Sequence, residues 1–270
     1  MVEKLKSLLS RFYILIIILF LYSPIAVLII LSFNDSRSRV VWGGFTIRWY
    51  AALLHNSQIR VALGTTFLLA FLSAFISLVI GTAAALGIAS MKKRSHKLMM
   101  MITNIPMLNA DIVTGIALML WIIQFMPLGF GSVLIAHITF NIPYVILAVM
   151  PKVKTMNISI YNAGRDLGAG PLRAFFELML PQLSGGMISG FFMAFTMSMD
   201  DFVITYFTKG AGVNTLSTMI YGEIKKGIKP EIYALSTMIF VLVLVILMIM
   251  NNMPAKEKRK GEEERGNVYD

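Results

Sequence analysis

The organisation of this chain follows from residues 151–181, which read PKVKTMNISIYNAGRDLGAGPLRAFFELMLP. The stretch is polar and lies between long apolar blocks, yet it has the pattern of folded structure. Asn157 or Ser159 predicts the start of a short helix, because their side-chain oxygens accept hydrogen bonds from the free N–H groups of a first turn. Gly168 and Gly170 then predict a turn with positive φ angles.

A second helix is predicted after this turn. Pro171 is favoured at the first position of a helix, and Pro181 is expected to end it. The apolar face of this helix comprises Leu172, Phe175, Phe176 and Met179. The two short helices together predict a helix–turn–helix that docks on a partner outside the bilayer.

The composition indicates an integral membrane protein. Mean hydropathy is +0.75, and 57% of the residues are hydrophobic. Only 14% are charged, compared with about 25% in soluble domains. There is no cysteine, and the three histidines (His55, His96 and His137) are too scattered to predict a metal site.

Six apolar segments predict an all-α polytopic protein with six transmembrane helices in a single domain, residues 1–253. The first of them is long enough to cross a hydrocarbon core of about 30 Å. The predicted spans are residues 12–33, 61–90, 98–126, 129–150, 183–206 and 233–253. The helix–turn–helix then lies in the loop 151–182 between spans 4 and 5, and residues 254–270 form a charged tail.

The positions of the basic residues predict the orientation of the chain. Six spans place both termini on one side, and 16 of the 24 Lys and Arg residues lie on that side. Basic residues concentrate on the cytoplasmic side of membranes. Both termini and the helix–turn–helix are therefore expected in the cytoplasm, and the net charge of +10 indicates topology rather than nucleic-acid binding.

No catalytic motif is present. The chain lacks a G-x-x-x-x-G-K-[ST] phosphate loop, an H-E-x-x-H zinc motif and a G-x-S-x-G nucleophile motif. We therefore expect a protein that is not an enzyme and has no metal site or cofactor in this chain.

Three carboxylates at membrane depth are the unusual chemical feature. Asp111 lies near the middle of the third predicted span, and Asp200 and Asp201 lie in the outer half of the fifth. A carboxylate there costs about 2.5–3.5 kcal/mol or more, and the spans contain no Lys or Arg to pair with it. The acids could be protonated, could face water near a broken helix, or could receive a cation. Adjacent residues of a helix point about 100° apart, so one of Asp200 and Asp201 is expected to line a path while the other caps or braces.

The run N-A-G-R-D-L-G-A followed by L-M-L-P resembles the cytoplasmic coupling motif of bacterial ABC-importer permeases. Asn162 stands where that family usually has Glu, and Gly164 replaces an Ala, whereas the spacing to Pro181 is intact. The resemblance implies ATPase contacts through the following residues: Asn162, Ala163, Gly164, Arg165, Asp166, Gly168, Leu178, Leu180 and Pro181.

Three further runs, A-D-I-V-T (110–114), A-H-I-T-F-N-I-P-Y-V (136–145) and S-M-D-D-F-V (198–203), resemble permease subunits of spermidine/putrescine importers. These importers belong to the binding-protein-dependent ABC type. The resemblance implies a polyamine path formed by acids and by aromatic rings, which attract cations. The residues expected on this path are Asp111, Asp200, Asp201, Phe202, Tyr206 and Trp121.

The resemblance also implies the type I ABC-importer permease fold, in a multi-pass protein of a bacterial inner membrane. The implied partners are a homologous second permease, a dimer of ATPase subunits that binds ATP and Mg, and an extracytoplasmic polyamine-binding protein. Importers of ferric iron, thiamine or phosphate are the alternatives within this class. An ion channel or a membrane enzyme is the alternative from a different class.

Overall fold

The structure, a computed structural model, describes residues 2–36, 40–226 and 229–252, and all regular elements in these ranges are helical. Twelve α-helices follow one another along the described chain, and a π-helical turn, Phe175–Met179, joins two of them. The α-helices are α1 (Val2–Ser32), α2 (Arg48–His55), α3 (Ser57–Ser90), α4 (Lys93–Leu108), α5 (Asp111–Ile122), α6 (Phe130–Thr155), α7 (Ile158–Asp166), α8 (Pro171–Ala174), α9 (Leu180–Asp200), α10 (Val203–Thr208), α11 (Leu216–Lys226) and α12 (Pro230–Asn252).

The described helices confirm an all-α membrane architecture. Five stretches are long and apolar enough to cross a bilayer, namely Arg11–Ser32, Ser57–Ser90, Phe130–Thr155, Pro171–Asp200 and Pro230–Ile249. The pair α4 and α5 provides a sixth only if the two helices are counted together across a bend of 104°. The predicted charged tail, residues 254–270, lies outside the described residues.

The third and fifth predicted spans are not continuous helices. In the third, Asn109 and Ala110 adopt extended backbone conformations between α4 and α5. Pro106 lies in the last turn of α4, where its ring disfavours a regular helix. In the fifth, α9 ends at Asp200 and Asp201 is extended. The two helix breaks therefore fall at the intramembrane acids.

The chain divides into two compact units, one formed by residues up to Arg60 with Ile220–Leu247 and the other mainly by Val61–Met219. In the first unit, Asn34 organises the loop before α2. Its Oδ1 accepts a hydrogen bond from the Gly43 N–H at 2.8 Å, and its Nδ2 donates to the Val41 carbonyl at 2.9 Å. The Trp49 indole donates to the Asn34 carbonyl at 2.8 Å. This loop is therefore an ordered structure rather than a simple connection.

In the second unit, α6 packs along α9. The contact is close because Gly186 and Gly190, spaced four apart, face α6. A Cβ on Gly186 would lie 3.1 Å from the Ala148 carbonyl oxygen, and one on Gly190 would lie 3.4 Å from the Val145 side chain. Small residues at this spacing let membrane helices approach closely. The tight α6–α9 contact fixes the helix that ends in Asp200.

Candidate functional site

The break between α9 and α10 places the two adjacent acids in different environments. Asp200 is the last residue of α9, and α10 begins only at Val203. Because the helix stops between the two acids, their side chains are not bound by the geometry of one helix. Each carboxylate therefore has its own surroundings.

Asp201 braces the start of α10. Its carboxylate accepts hydrogen bonds from the Ile204 and Thr205 N–H groups, at 3.2 and 2.8 Å, and from the Thr205 hydroxyl at 2.8 Å. A negative group beside the free N–H groups of a helix start is stabilising. Its side chain is only 9% exposed, so Asp201 is committed to internal contacts.

His137 of α6 is the basic partner of this acid. Its Nε2 lies 3.3 Å from an Asp201 carboxylate oxygen and 2.8 Å from the Thr205 hydroxyl. The expectation that the intramembrane acids lack a basic partner is therefore wrong for Asp201. That expectation considered only Lys and Arg, although an ionisable histidine inside a span is itself a signal of function.

Asp200 has the opposite character. It is exposed, and its carboxylate forms no hydrogen bond or ion pair within the described part of the chain. It lies one and two turns beyond Met197 and Met193, which are also exposed on α9. Of the two adjacent acids, Asp200 is therefore the one whose charge is available to a group outside the described part of the chain.

Asp111 lies at the other helix break rather than in the middle of a straight span. It is the first residue of α5, directly after the 104° bend. The residue is exposed and forms no hydrogen bond or ion pair with another described residue. Membrane proteins tolerate an interrupted helix only where it is buried in protein or lines a water-filled cavity, so the break itself predicts an aqueous path.

A cavity of about 250 Å³ lies beside this bend. Its lining combines the end of α4, the start of α5 and part of α6: Ile105, Pro106, Asn109, Val113, Thr114, Ala117, Leu118, Thr139 and Phe140. The Thr114 hydroxyl is buried and has no hydrogen-bond partner in the described structure. Phe140 packs against Tyr144 with ring centroids 5.2 Å apart.

The two helix breaks adjoin each other because α5 packs against α10. Gly115, one turn after Asp111, makes this contact possible. A Cβ at Gly115 would lie 3.5 Å from the Ile204 Cα and 3.2 Å from the Phe207 ring. Gly115 therefore brings α5 against the start of α10, so the helix that begins with the unpaired Asp111 lies beside the helix that follows Asp200 and Asp201.

The structure brings together only some of the aromatic residues expected on the path. Phe202 and Tyr206 follow Asp200 and pack with ring centroids 5.3 Å apart, and Tyr206 is 43% exposed. Trp121 instead packs on Phe125 at 5.1 Å. It lies ten residues beyond Asp111 on α5, which is about 15 Å along a helix axis.

The loop after α6 begins with the predicted helix–turn–helix. The Asn157 side chain accepts a hydrogen bond from the Ser159 N–H, and α7 follows. Gly168 has φ +91° and ends the helix in the predicted left-handed conformation. Gly170 does not: its φ is −63°, because the residue before a proline favours extended backbone.

The prediction that Pro181 ends the second helix is wrong. The helix that starts at Pro171 continues through the π-helical turn into α9, which has Pro181 in its first turn. A proline disrupts a regular helix because it lacks an N–H and clashes with the carbonyl four residues earlier. The π-helical turn directly before Pro181 changes the hydrogen-bond pattern there, so that the loop joins α9 without an interruption.

Gly164 lies at a close contact inside the loop. Gly164 of α7 faces Leu178 of the π-helical turn, and a Cβ at Gly164 would collide with the end of that leucine side chain. Gln182 also links the start of α7 to the π-helical turn. It accepts from the Asn157 N–H at 3.0 Å and donates to the Leu178 carbonyl at 2.7 Å.

Most of the residues expected to contact an ATPase are accessible. Leu167 at the tip is 89% exposed and Leu172 is 73% exposed. The exposed members of the predicted set are Asn162, Ala163, Arg165, Asp166, Gly168 and Pro181, whereas Gly164, Leu178 and Leu180 are partly buried. The tip therefore presents apolar side chains beside a polar helix face.

Comparison with known proteins agrees with the sequence resemblance. The chain is 34% identical over 243 residues to the Spermidine/putrescine transport system permease protein PotC of Escherichia coli (strain K12), covering 90% of this chain and 92% of the relative. It is 33% identical over 250 residues to the Putrescine transport system permease protein PotI of the same organism, covering 89% of each chain.

Solved structures of ABC importers have the same fold. One is a bacterial ABC transporter involved in the import of the acidic polysaccharide alginate, with a TM-score of 0.68 and 14% identity over 93% of this chain and 96% of the other. Another is the alginate transporter in complex with an alginate pentasaccharide-bound periplasmic protein, with a TM-score of 0.66 and 17% identity over 93% and 94% of the two chains. These likenesses confirm the type I importer permease fold. Residues 77–254 match the family described as Binding-protein-dependent transport system inner membrane component, and the chain belongs to this family.

Proposed function

We propose that this chain forms half of the translocation path of an ATP-driven polyamine importer. The observation that carries this proposal is the pair of unpaired acids, Asp111 and Asp200, each at a break in a membrane helix. Helix α5 contacts the start of α10 through Gly115, so the helices that follow the two breaks are neighbours. A path with two such acids is suited to a solute that carries separated positive charges.

The chemistry of a polyamine matches this arrangement. Its amines are spaced along a flexible apolar chain, so two of them can pair with acids on different helices. The rings of Phe202 and Tyr206 add aromatic faces beside Asp200, and a cation over such a face gains about 0.5–2 kcal/mol. Binding must remain weak enough for release, which two water-accessible acids permit better than a closed cage.

Other solutes fit this arrangement less well. A phosphate site would use basic side chains or helix N-termini, and an unpaired acid next to a helix start opposes an anion. Ferric iron and thiamine are cations and remain the alternatives to exclude by experiment. A channel would not require the ordered helix–turn–helix with its exposed apolar tip, and this feature favours an ATP-coupled importer.

Competition for uptake tests the substrate class. In cells that express the complete transport system, a large excess of unlabelled spermidine or putrescine should suppress uptake of labelled spermidine. Thiamine, phosphate and a ferric complex should leave it unchanged, because none of them offers separated amines. If thiamine, phosphate or ferric iron is itself taken up and polyamines are not, the substrate assignment is wrong while the transporter assignment stands.

The remaining partners follow from the same proposal. A homologous second permease would complete the path, and an extracytoplasmic polyamine-binding protein would deliver the substrate. Two ATPase subunits would hold ATP and Mg and dock on the loop that contains α7 and α8, with Leu167 and Leu172 as the exposed apolar contacts. On this view, ATP is hydrolysed by the partner chains and not by this one.

The orientation of the chain is a separate prediction. A reporter fused after Asp270 should give a cytoplasmic signal, and one inserted after Gly212 should give an external signal. Gly212 suits an insertion because it lies in an exposed turn with φ +87°, where added residues are tolerated. An external C-terminus would mean an odd number of crossings and would remove the docking loop from the cytoplasm.

A further inference from the structure

On the Nδ1 side of the His137 ring, a network of buried polar side chains extends away from Asp201. His137 is 2% exposed, and its Nδ1 lies 2.5 Å from the Ser198 hydroxyl of α9. Ser198 also contacts the Ser73 hydroxyl of α3 at 2.9 Å, and the Asn141 amide of α6 donates to Ser73 at 3.5 Å. The imidazole is therefore the central member of a network that joins α3, α6, α9 and α10.

The donors and acceptors of this network fit one arrangement. Thr205 uses its single hydroxyl proton on Asp201, so its oxygen accepts from the Nε2–H of His137. Nδ1 then accepts from the Ser198 hydroxyl, which in turn accepts from Ser73. Each ring nitrogen thus has a defined role, one toward α9 before the break and one toward α10 after it.

We propose that His137 is a positioning residue that maintains the α9–α10 break and so directs Asp200 toward the translocation path. It contacts Ser198, two residues before Asp200, and through the Thr205 hydroxyl it holds Asp201, the next residue, whose carboxylate lies 3.3 Å from Nε2. The carboxylate between these two fixed points has no described partner of its own. The direction of the Asp200 side chain therefore depends on how Ser198 and Asp201 are held.

The energetics support this role. Helix α10 has six residues and is too short to be stable by itself, so its start depends on the Asp201 carboxylate. Without His137, the Ser198 and Thr205 hydroxyls would each lose a hydrogen-bond partner, and the buried Asp201 carboxylate would lose the imidazole beside it. Leaving buried polar groups without a partner is costly. Relaxation of the extended backbone at Asp201 would relieve this cost and would rotate Asp200 away from the path. The inference rests on the proposed role of Asp200.

The absence of cysteine from this chain permits a direct test by thiol labelling. Asp200→Cys introduces the single thiol of the chain, and its reaction with a cationic, membrane-impermeant methanethiosulfonate reagent can be timed in the assembled transporter. The labelling rate should fall by about fivefold or more when His137→Leu is added, which is a shift of roughly 1 kcal/mol or more in population. His137→Gln, which keeps a donor toward the Thr205 hydroxyl and the Asp201 carboxylate beside it, should restore most of the rate.

The control is Met193→Cys, which places the thiol two turns earlier on the same face of α9, at a residue that is 36% exposed. Its labelling should not respond to His137→Leu, because it lies before the break. Equal labelling rates of the Asp200→Cys variant with His137 and with His137→Leu would overturn the inference. A parallel change at both positions, or a complete lack of labelling of Asp200→Cys in the parent background, would overturn it as well. Normal polyamine uptake by Asp200→Asn would instead contradict the proposed function and leave the labelling result intact.

Discussion

Asp200→Asn is expected to abolish most polyamine uptake while the transporter still assembles. The substitution keeps the shape of the side chain and removes the charge that we assign to the substrate amine. The coupling energy of a close charge pair at an interface is about 1.5 kcal/mol or more, so uptake at limiting substrate should fall by roughly tenfold or more. The initial rate of labelled spermidine uptake, divided by the amount of complex in the membrane, measures the effect.

Two matched substitutions separate this role from a structural one. Asp201→Asn removes the partner of His137 and weakens the start of α10, so it should lower the amount of assembled complex. Asp35→Asn changes a partly exposed acid in the loop before α2 that pairs with Arg48, and such surface pairs contribute about 0–1 kcal/mol. It should leave uptake unchanged. If Asp200→Asn instead lowers assembly and leaves uptake per complex unchanged, Asp200 is structural.

The second large effect is expected from Gly168→Val in the loop that contains α7 and α8. Gly168 has φ +91°, a conformation that a β-branched residue rarely adopts. The turn between α7 and α8 should therefore change, and the two helices should no longer form one docking surface for the ATPase. We expect loss of ATPase copurification and of substrate-stimulated ATP hydrolysis, with normal insertion of this chain in the membrane.

Gly170→Val is the matched control for this substitution. Gly170 has φ −63° and ψ 156°, and a Cβ there would meet nothing within 4 Å. Valine adopts this extended backbone readily, so the variant should retain both the ATPase and its stimulation. Equal behaviour of the two valine variants would contradict the assignment of the loop as the docking element.

Much of the fold could be predicted because apolar length and turn residues are local signals. The cap at Asn157, the left-handed Gly168 and the helix start at Pro171 each depend on their immediate neighbours, and the structure has all three. The positions of the helix breaks were not predicted, since a hydropathy window averages over residues 109–110 and 201–202 as if the helices continued. The continuation through Pro181 depends on a π-helical turn that no simple residue pattern indicates.

The site was predicted in part for a similar reason. The acids could be located in the sequence because charge is rare at membrane depth. One of Asp200 and Asp201 was expected to cap or brace a helix rather than line the path. The residue with this structural role is Asp201, and its partner His137 is 64 residues away in the sequence. Only the packing of α6 against α9 and α10 brings the two together. Long-range pairing of this kind depends on tertiary structure rather than on local pattern.

The most direct test of the central claim is uptake of labelled spermidine by the double variant Asp111→Asn and Asp200→Asn. The measurement uses membranes in which the amounts of this chain, the second permease and the ATPase are quantified. The account predicts assembled complex in normal amount with uptake near the background of cells that lack the transporter. Uptake equal to that of the parent chain, at equal complex, would contradict the claim that these two acids receive a cationic substrate.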